Sequence, residues 1–138
     1  MRALVAAVLA STVSILPLQV LGASAVLVRE DLHFDAADLG VAIAAFFTAN
    51  GVTAWTAGHL AQSRGPRLGL VIGTTLSVVS LAGIAAFAHA FPTLLVCVMI
   101  GGVGNAFAQV GGNLALAAGA GPRRQGLAFG LKQSAVPA

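Results

Sequence analysis

Three amide side chains recur at a four-residue spacing within one apolar stretch: Asn105, Gln109 and Asn113. On an α-helix, positions i, i+4 and i+8 lie along one face, each about 6 Å above the last. A carboxamide is costly to leave facing lipid without a partner, so this face must meet other helices or a water-filled cavity. The pattern fits two hypotheses, hydrogen bonds between packed helices or the lining of a path for a polar solute.

Another polar pair, Lys132-Gln133, lies in the last apolar segment of the sequence. Lys132 is about 9 Å into that segment if it is helical. Its ammonium either extends back to the membrane headgroups or faces a cavity, where it would attract an anionic solute or hold a coupling charge. The candidate solute-path residues are Asn50, in the middle of an earlier apolar run, with Asn105, Gln109, Asn113, Lys132 and Gln133.

No residue pattern in the sequence supports hydrolytic or redox catalysis. There is no Cys/His cluster of the kind that binds a metal, no plausible Ser–His–acid set and no phosphate-binding loop. The single cysteine, Cys97, lies in an apolar run, where a thiol behaves as a small buried hydrophobe. We therefore expect no enzymatic activity and no catalytic, cofactor or metal site.

The composition is that of a membrane protein. Of 138 residues, 58% are hydrophobic and only 8% are charged, against about 25% in soluble domains, and the mean hydropathy is +0.95. The isoelectric point near 10.6 does not indicate a nucleic-acid partner, because the basic residues occur singly or in pairs between apolar runs. The lipid bilayer is the expected partner.

Four apolar stretches are long enough to cross a bilayer, which takes about 20 helical residues. The predicted spans are 3–28, 39–61, 68–88 and 93–118, with an incomplete fifth span at 126–138. A cleaved secretory signal is the competing interpretation of the first stretch, but the stretch is long for a signal and further spans follow. The sequence thus predicts an all-α, polytopic membrane helical bundle. In the fourth span, Gly101, Gly104, Ala108 and Gly112 form a small-residue seam suited to tight helix packing.

Charged residues divide the predicted loops between two sides of the membrane. The basic side holds Arg2, Arg64, Arg67, Arg123 and Arg124. All four acids lie in the loop 29–38 on the other side, where Asp38 is expected to cap the second helix. Because basic loops stay inside the cell, we expect a multi-pass protein of the plasma or inner membrane with a cytoplasmic N-terminus. A reporter inserted after Ser63 that is active only outside the cell would contradict this orientation.

One polar stretch, residues 58–70, separates two long apolar runs and reads G-H-L-A-Q-S-R-G-P-R-L-G-L. Its Gly65-Pro66 pair is typical of a tight turn. The stretch resembles the loop motif G-x-L-A-D-R-x-G-R-K-x-x-L between the second and third helices of the major facilitator superfamily of transporters. The matching positions are Gly58, Leu60, Ala61, Gly65, Arg67 and Leu70, whereas Gln62 and Ser63 replace an acid and a base.

Two further stretches resemble the same family. Residues 98–106 align with its fourth-helix pattern R-x-x-Q-G-x-G-x-A, and residues 126–137 resemble the opening of its fifth helix. The pattern's glycines are kept, but Val98 and Gly101 stand where the family has arginine and glutamine. That arginine is tied to proton coupling in many members, so the resemblance argues against proton antiport by this route.

The resemblance covers the whole sequence and implies the N-terminal half of a secondary active transporter. Such proteins have 12 or 14 helices in two bundles, which rock to expose a site between them to either side. The implied partners are a small solute, with or without a coupling ion, and the remaining helices of the full-length transporter. The implied conformational loop residues are Gly58, Gln62, Gly65 and Arg67. Because the fifth span is incomplete, we expect a truncated piece that does not transport alone.

Two alternative functions remain open from the sequence. The first is a small multidrug exporter acting as an oligomer, which needs a membrane-embedded carboxylate, whereas all four acids here lie in one loop. The second is a membrane scaffold or assembly protein that transports nothing. In that case the amides of the fourth span would serve only as hydrogen-bonding groups between packed helices.

Overall fold

The chain forms a bundle of helices. The computed structural model describes residues 2–23, 35–87, 90–119 and 125–134, which contain no strand. The helices are α1 (Arg2–Ala23), α2 (Ala36–Arg64), α3 (Pro66–Phe87), α4 (Phe91–Gly119) and α5 (Gln125–Ser134). Among the described residues, four segments are long and apolar enough to cross a membrane: Val5–Ala23, Ala36–Arg64, Pro66–Phe87 and Phe91–Gly119. The prediction of an all-α membrane bundle is therefore confirmed.

Helix α2 starts at a capping box built from two aspartates. The Asp35 carboxylate accepts hydrogen bonds from the backbone amides of Ala37 at 2.7 Å and Asp38 at 3.0 Å. In return, Asp38 Oδ2 accepts from the backbone amide of Asp35 at 3.0 Å. The expectation that Asp38 caps this helix is wrong, because the capping residue is Asp35 and Asp38 is its partner one turn in.

The connection between α2 and α3 is a single residue. Helix α2 continues to Arg64, Pro66 is the first residue of α3, and only Gly65 lies between them. Gly65 has a φ of +93°, an angle that a residue with a Cβ rarely adopts. Proline suits the next position, because the first helical residue needs no amide hydrogen. The tight turn predicted at Gly65-Pro66 is present and is shorter than the polar stretch suggested.

Helix α4 packs against α1, α2 and α3 through its small residues. A Cβ built on Gly102 would overlap the carbonyl oxygen of Phe46 in α2, and one built on Gly73 of α3 would overlap the backbone of Ala108. A Cβ on Gly111 would lie only 2.9 Å from the amide nitrogen of Leu70. Because these neighbours are backbone atoms, α2 and α3 approach α4 as closely as helices can.

Helices α1 and α4 run antiparallel, which sets the level of each α1 side chain along α4. At one end, Leu21 and Val98 belong to the same buried apolar cluster, together with Phe46 and Leu94. At the other end, a Cβ built on Gly112 would lie 3.6 Å from the Cβ of Ala7. The α1 side chains that face α4 between these levels therefore meet its middle, where Asn105 and Gln109 lie.

Candidate functional site

The buried amide of Asn105 pairs with α1. Its side chain is 5% exposed, and its Oδ1 accepts a hydrogen bond from Ser14 Oγ at 2.9 Å. Ser14 Oγ is also 2.9 Å from the carbonyl oxygen of Ser11. A hydroxyl has one proton, so it donates to one of these acceptors at a time. Asn105 is thus hydrogen-bonded to α1 through a hydroxyl that can instead donate to the Ser11 carbonyl of its own helix.

The other two amides meet the lysine of α5. Lys132 Nζ donates to Gln109 Oε1 at 2.6 Å and to Asn113 Oδ1 at 2.7 Å. The lysine residue is only 1% exposed. This burial does not fit a side chain that extends to the headgroups, and the structure instead directs the ammonium at two neutral amides of α4.

The lysine side chain packs over Gly112, which lies between Gln109 and Asn113 in sequence. A Cβ built on Gly112 would lie 3.4 Å from Lys132 Cε and 3.6 Å from its Nζ. The small-residue seam predicted along α4 therefore faces several partners: Gly104 lies against Ser77 of α3, and Gly112 lies against the lysine. At these distances a Cβ would make an ordinary van der Waals contact with the lysine, so the approach of α5 to α4 does not depend on glycine here.

We call the resulting assembly the polar column. It consists of Ser11, Ser14, Asn105, Gln109, Asn113 and Lys132. It joins α1, α4 and α5, whereas Gly102 of α4 faces α2 and Gly104 and Gly111 face α3. Burial decreases along its three amides: Asn105 is buried, Gln109 is half-buried and Asn113 is exposed. The described helices therefore leave the column uncovered at the Asn113 end.

Within the described residues, the ammonium of Lys132 has no carboxylate partner. The described acids, Asp35 and Asp38, lie at the start of α2 and bond to each other's backbone. No group of three or more His, Cys, Asp or Glu side chains that could hold a metal occurs in this part of the chain. The column is thus a positively charged site built from one cation and neutral polar groups.

The remaining solute-path candidates lie away from the column. Asn50 is half-buried on α2, and its side chain makes no hydrogen bond within the described part of the chain. Gln133 is exposed, although its neighbour Lys132 is buried. Of the six candidates, the structure brings together Asn105, Gln109, Asn113 and Lys132, and it leaves Asn50 and Gln133 outside.

The candidate loop residues surround the α2–α3 turn. Gln62 and Arg67 are exposed on either side of it, and Gly65 forms the turn itself. Gly58 lies further back on α2, with no atom within 4 Å of a Cβ built on it. The positive φ at position 65 therefore favours glycine. At position 58 the described bundle has space for a larger side chain.

Sequence reasoning missed two residues of the column, Ser11 and Ser14. Both are fully buried, and the Ser11 hydroxyl has no hydrogen-bond partner within the described residues. Their spacing of three residues in an apolar helix was a signal, since such serines share a helix face. Serine often bonds to its own helix, however, so the spacing alone did not distinguish a site from local bonding.

A family model of the Major Facilitator Superfamily matches residues 5–138. The chain therefore belongs to that superfamily of membrane transporters, and the family resemblance drawn from its loop and glycine patterns is confirmed. No curated protein and no solved structure matches the chain. At the fourth-helix position where many members have arginine, the side chain of Val98 is fully buried in the apolar cluster.

Proposed function

We propose that the chain works in a secondary active transporter, which moves a small solute by alternating access, and that the polar column lines the solute's path. The main support is the buried Lys132, which binds two amides in an otherwise apolar bundle. Ionisable groups inside membrane bundles are costly and usually mark paths for ions or solutes.

Packing alone does not require this lysine. Neutral amides and hydroxyls already join membrane helices, as Ser14 and Asn105 do here. A neutral donor could bond to Gln109 equally well for the purpose of packing. An ammonium in that position adds the free-energy cost of burying a charge. A cation at this point is therefore better explained by an interaction that the column makes with a solute or a coupling ion.

The packing of the bundle suits movement of several helices together. Close backbone contacts join α4 to α2 and α3. The one-residue turn at Gly65 holds the ends of α2 and α3 together, and in this proposal those ends are cytoplasmic. Such a unit would rock as one body during alternating access. Gly58, Gln62, Gly65 and Arg67 would then form the turn that bears on neighbouring helices during the movement.

The proposed location is the cell membrane, with the N-terminus in the cytoplasm. Arg64 and Arg67 flank the α2–α3 turn, and Arg64 lies in the last turn of α2. The aspartates of the capping box lie at the opposite end of that helix. This charge difference favours a cytoplasmic α2–α3 turn.

The test is solute flux through proteoliposomes that contain the full-length protein. A panel of radiolabelled sugars, amino acids and organic acids identifies a transported solute. Asn105→Ala and Gln109→Ala should each lower its flux while the amount of folded protein stays normal. Thr74→Val is the matched control, because the Thr74 hydroxyl bonds to the Leu70 carbonyl of its own helix at 2.8 Å.

The same variants address the competing functions. If both column variants lose folded protein rather than flux, the amides serve for packing, and a scaffold becomes the better interpretation. An oligomeric multidrug exporter would need a carboxylate within the spans, and the described acids lie only at the start of α2. A panel in which no solute is transported would contradict the transport proposal.

A further inference from the structure

We infer that the polar column binds the carboxylate group of its solute, with Lys132, Gln109 and Asn113 as the binding residues. This inference rests on the proposed transport function and extends it, because it gives the chemical class of the solute. The three residues already lie within hydrogen-bond distance of one another, at 2.6 and 2.7 Å from the lysine nitrogen.

The charge around Lys132 is unbalanced. The residue is 1% exposed, and its two partners are neutral amides. Amide oxygens provide hydrogen-bond acceptors for the ammonium, but they do not cancel its charge. A buried cation without a counter-charge is unfavourable, so a negatively charged ligand at this point would gain from an attraction that the described part of the protein leaves unused.

The site has N–H donors that are left open. A lysine ammonium has three N–H donors, and two of them are used by Gln109 and Asn113. Because both amide oxygens point at the ammonium, each amide presents its NH₂ group elsewhere, and neither NH₂ has a partner within the described residues. A carboxylate has two acceptor oxygens and no proton, so it matches such a set.

The site has an opening and space for adjustment. The Asn113 side chain is exposed, so no described helix covers the column at this end, and in this proposal the solute enters there. The lysine stem lies over Gly112, which has no side chain to restrain it. Its flexible four-carbon chain allows the ammonium to exchange an amide oxygen for a carboxylate oxygen. This step is non-covalent and leaves the released amide at the exposed end of the column.

A neutral amide of the same shape is the natural comparison ligand. It replaces one acceptor oxygen of the carboxylate by an NH₂ group, which cannot accept from the open N–H donors, and it leaves the lysine charge unbalanced. One charge-assisted hydrogen bond is worth about 1.5–3 kcal/mol, which corresponds to a factor of roughly 10 to 150 in affinity. We therefore expect amides to bind about tenfold to a hundredfold more weakly than the matching carboxylates.

The experiment is isothermal titration calorimetry of the full-length protein in phosphatidylcholine nanodiscs, whose lipid has no net charge. The probes are acetate, pyruvate and benzoate, each paired with its neutral amide. We expect at least one carboxylate to bind, with its amide much weaker. The inference is overturned if none of the three carboxylates binds, or if a carboxylate and its amide bind equally well.

Two variants remove the proposed site in different ways. Lys132→Gln deletes the cation, and Gln109→Glu places a carboxylate of the protein itself beside it, with little change in shape. Both should weaken carboxylate binding about tenfold or more. If the Lys132→Gln protein does not fold, Gln109→Glu provides the test, because it changes the shape of the side chain little. Thr74→Val should bind as the wild type does. Undiminished binding in folded Gln109→Glu would overturn the inference.

The outcomes separate this inference from the proposed function. If a carboxylate binds but no solute of the panel crosses proteoliposomes, the binding site stands and the transport proposal fails. If a neutral solute is transported in a way that depends on Gln109, while no carboxylate binds, transport stands and the carboxylate site fails.

Discussion

At the scale of single residues, the polar column contains one hydroxyl that is paired and one that is not. Ser14 donates to Asn105 or to the Ser11 carbonyl, whereas the Ser11 hydroxyl has no partner within the described residues. Both serines are fully buried. A buried polar group without a partner destabilises a fold, whereas one that is paired across two helices adds a small net stabilisation. The two serines should therefore respond oppositely to the same substitution.

Ser14→Ala should lower the free energy of unfolding by about 1 kcal/mol, because it removes a partner of the buried Asn105 amide. Ser11→Ala should leave stability unchanged or raise it by up to about 1 kcal/mol. The measurement is thermal unfolding of the full-length protein in nanodiscs, with both variants in parallel. Equal losses from the two substitutions would show that Ser11 has a partner that this account lacks.

The sequence predicts part of the column and not the rest, for a physical reason. Helical periodicity alone places Asn105, Gln109 and Asn113 on one face. Which helix covers that face depends on the packing of helices distant in sequence, and periodicity contains no information about it. The meeting of Lys132 with the column therefore stayed a hypothesis, and Ser14 was missed.

At the scale of helices, α4 is the central element of the bundle. Gly102 and Gly111 of α4 meet backbone atoms of α2 and α3, and the amides of α4 meet α1 and α5. The sequence predicted a small-residue seam on α4 but not its partners on α3, Gly69 and Gly73. These two were not recognised because glycines spaced four apart are common in membrane helices, whether or not they touch another helix.

Gly102→Ala should destabilise the bundle by about 1–3 kcal/mol, because its new methyl group would overlap the carbonyl oxygen of Phe46. Gly51→Ala is the matched control in the middle of α2, where a Cβ meets no atom within 4 Å. That control should gain up to about 1 kcal/mol from the better helix propensity of alanine. Unfolding by denaturant measures both changes. A Gly102→Ala protein as stable as the wild type would contradict the close packing of α2 on α4.

At the scale of the whole molecule, an apolar helical bundle contains a column of polar groups with one cation, Lys132. Family membership establishes a transporter of the major facilitator type. The polar column, between α1, α4 and α5, is the position that we propose for the solute. Composition and span lengths were enough to predict the helical membrane fold, because the bilayer permits few alternatives. Composition and span lengths did not predict the class of solute. That class is inferred from the charge balance of the site, which depends on which side chains meet in the fold.

The most direct test of the central claim is the accessibility of residue 109 to water. Cys97 is the protein's single cysteine and is buried, so Cys97→Ala gives a cysteine-free background. Gln109→Cys in that background is exposed to a membrane-impermeant thiol reagent from each side of the membrane in turn. The control is Ser77→Cys, because Ser77 is fully buried and faces Gly104 of α4.

If the column lines a solute path that opens alternately, the cysteine at 109 reacts from both sides and the cysteine at 77 from neither. If the cysteine at 109 resists the reagent from both sides in folded protein, the amides of α4 only hold helices together, and the proposed path is contradicted.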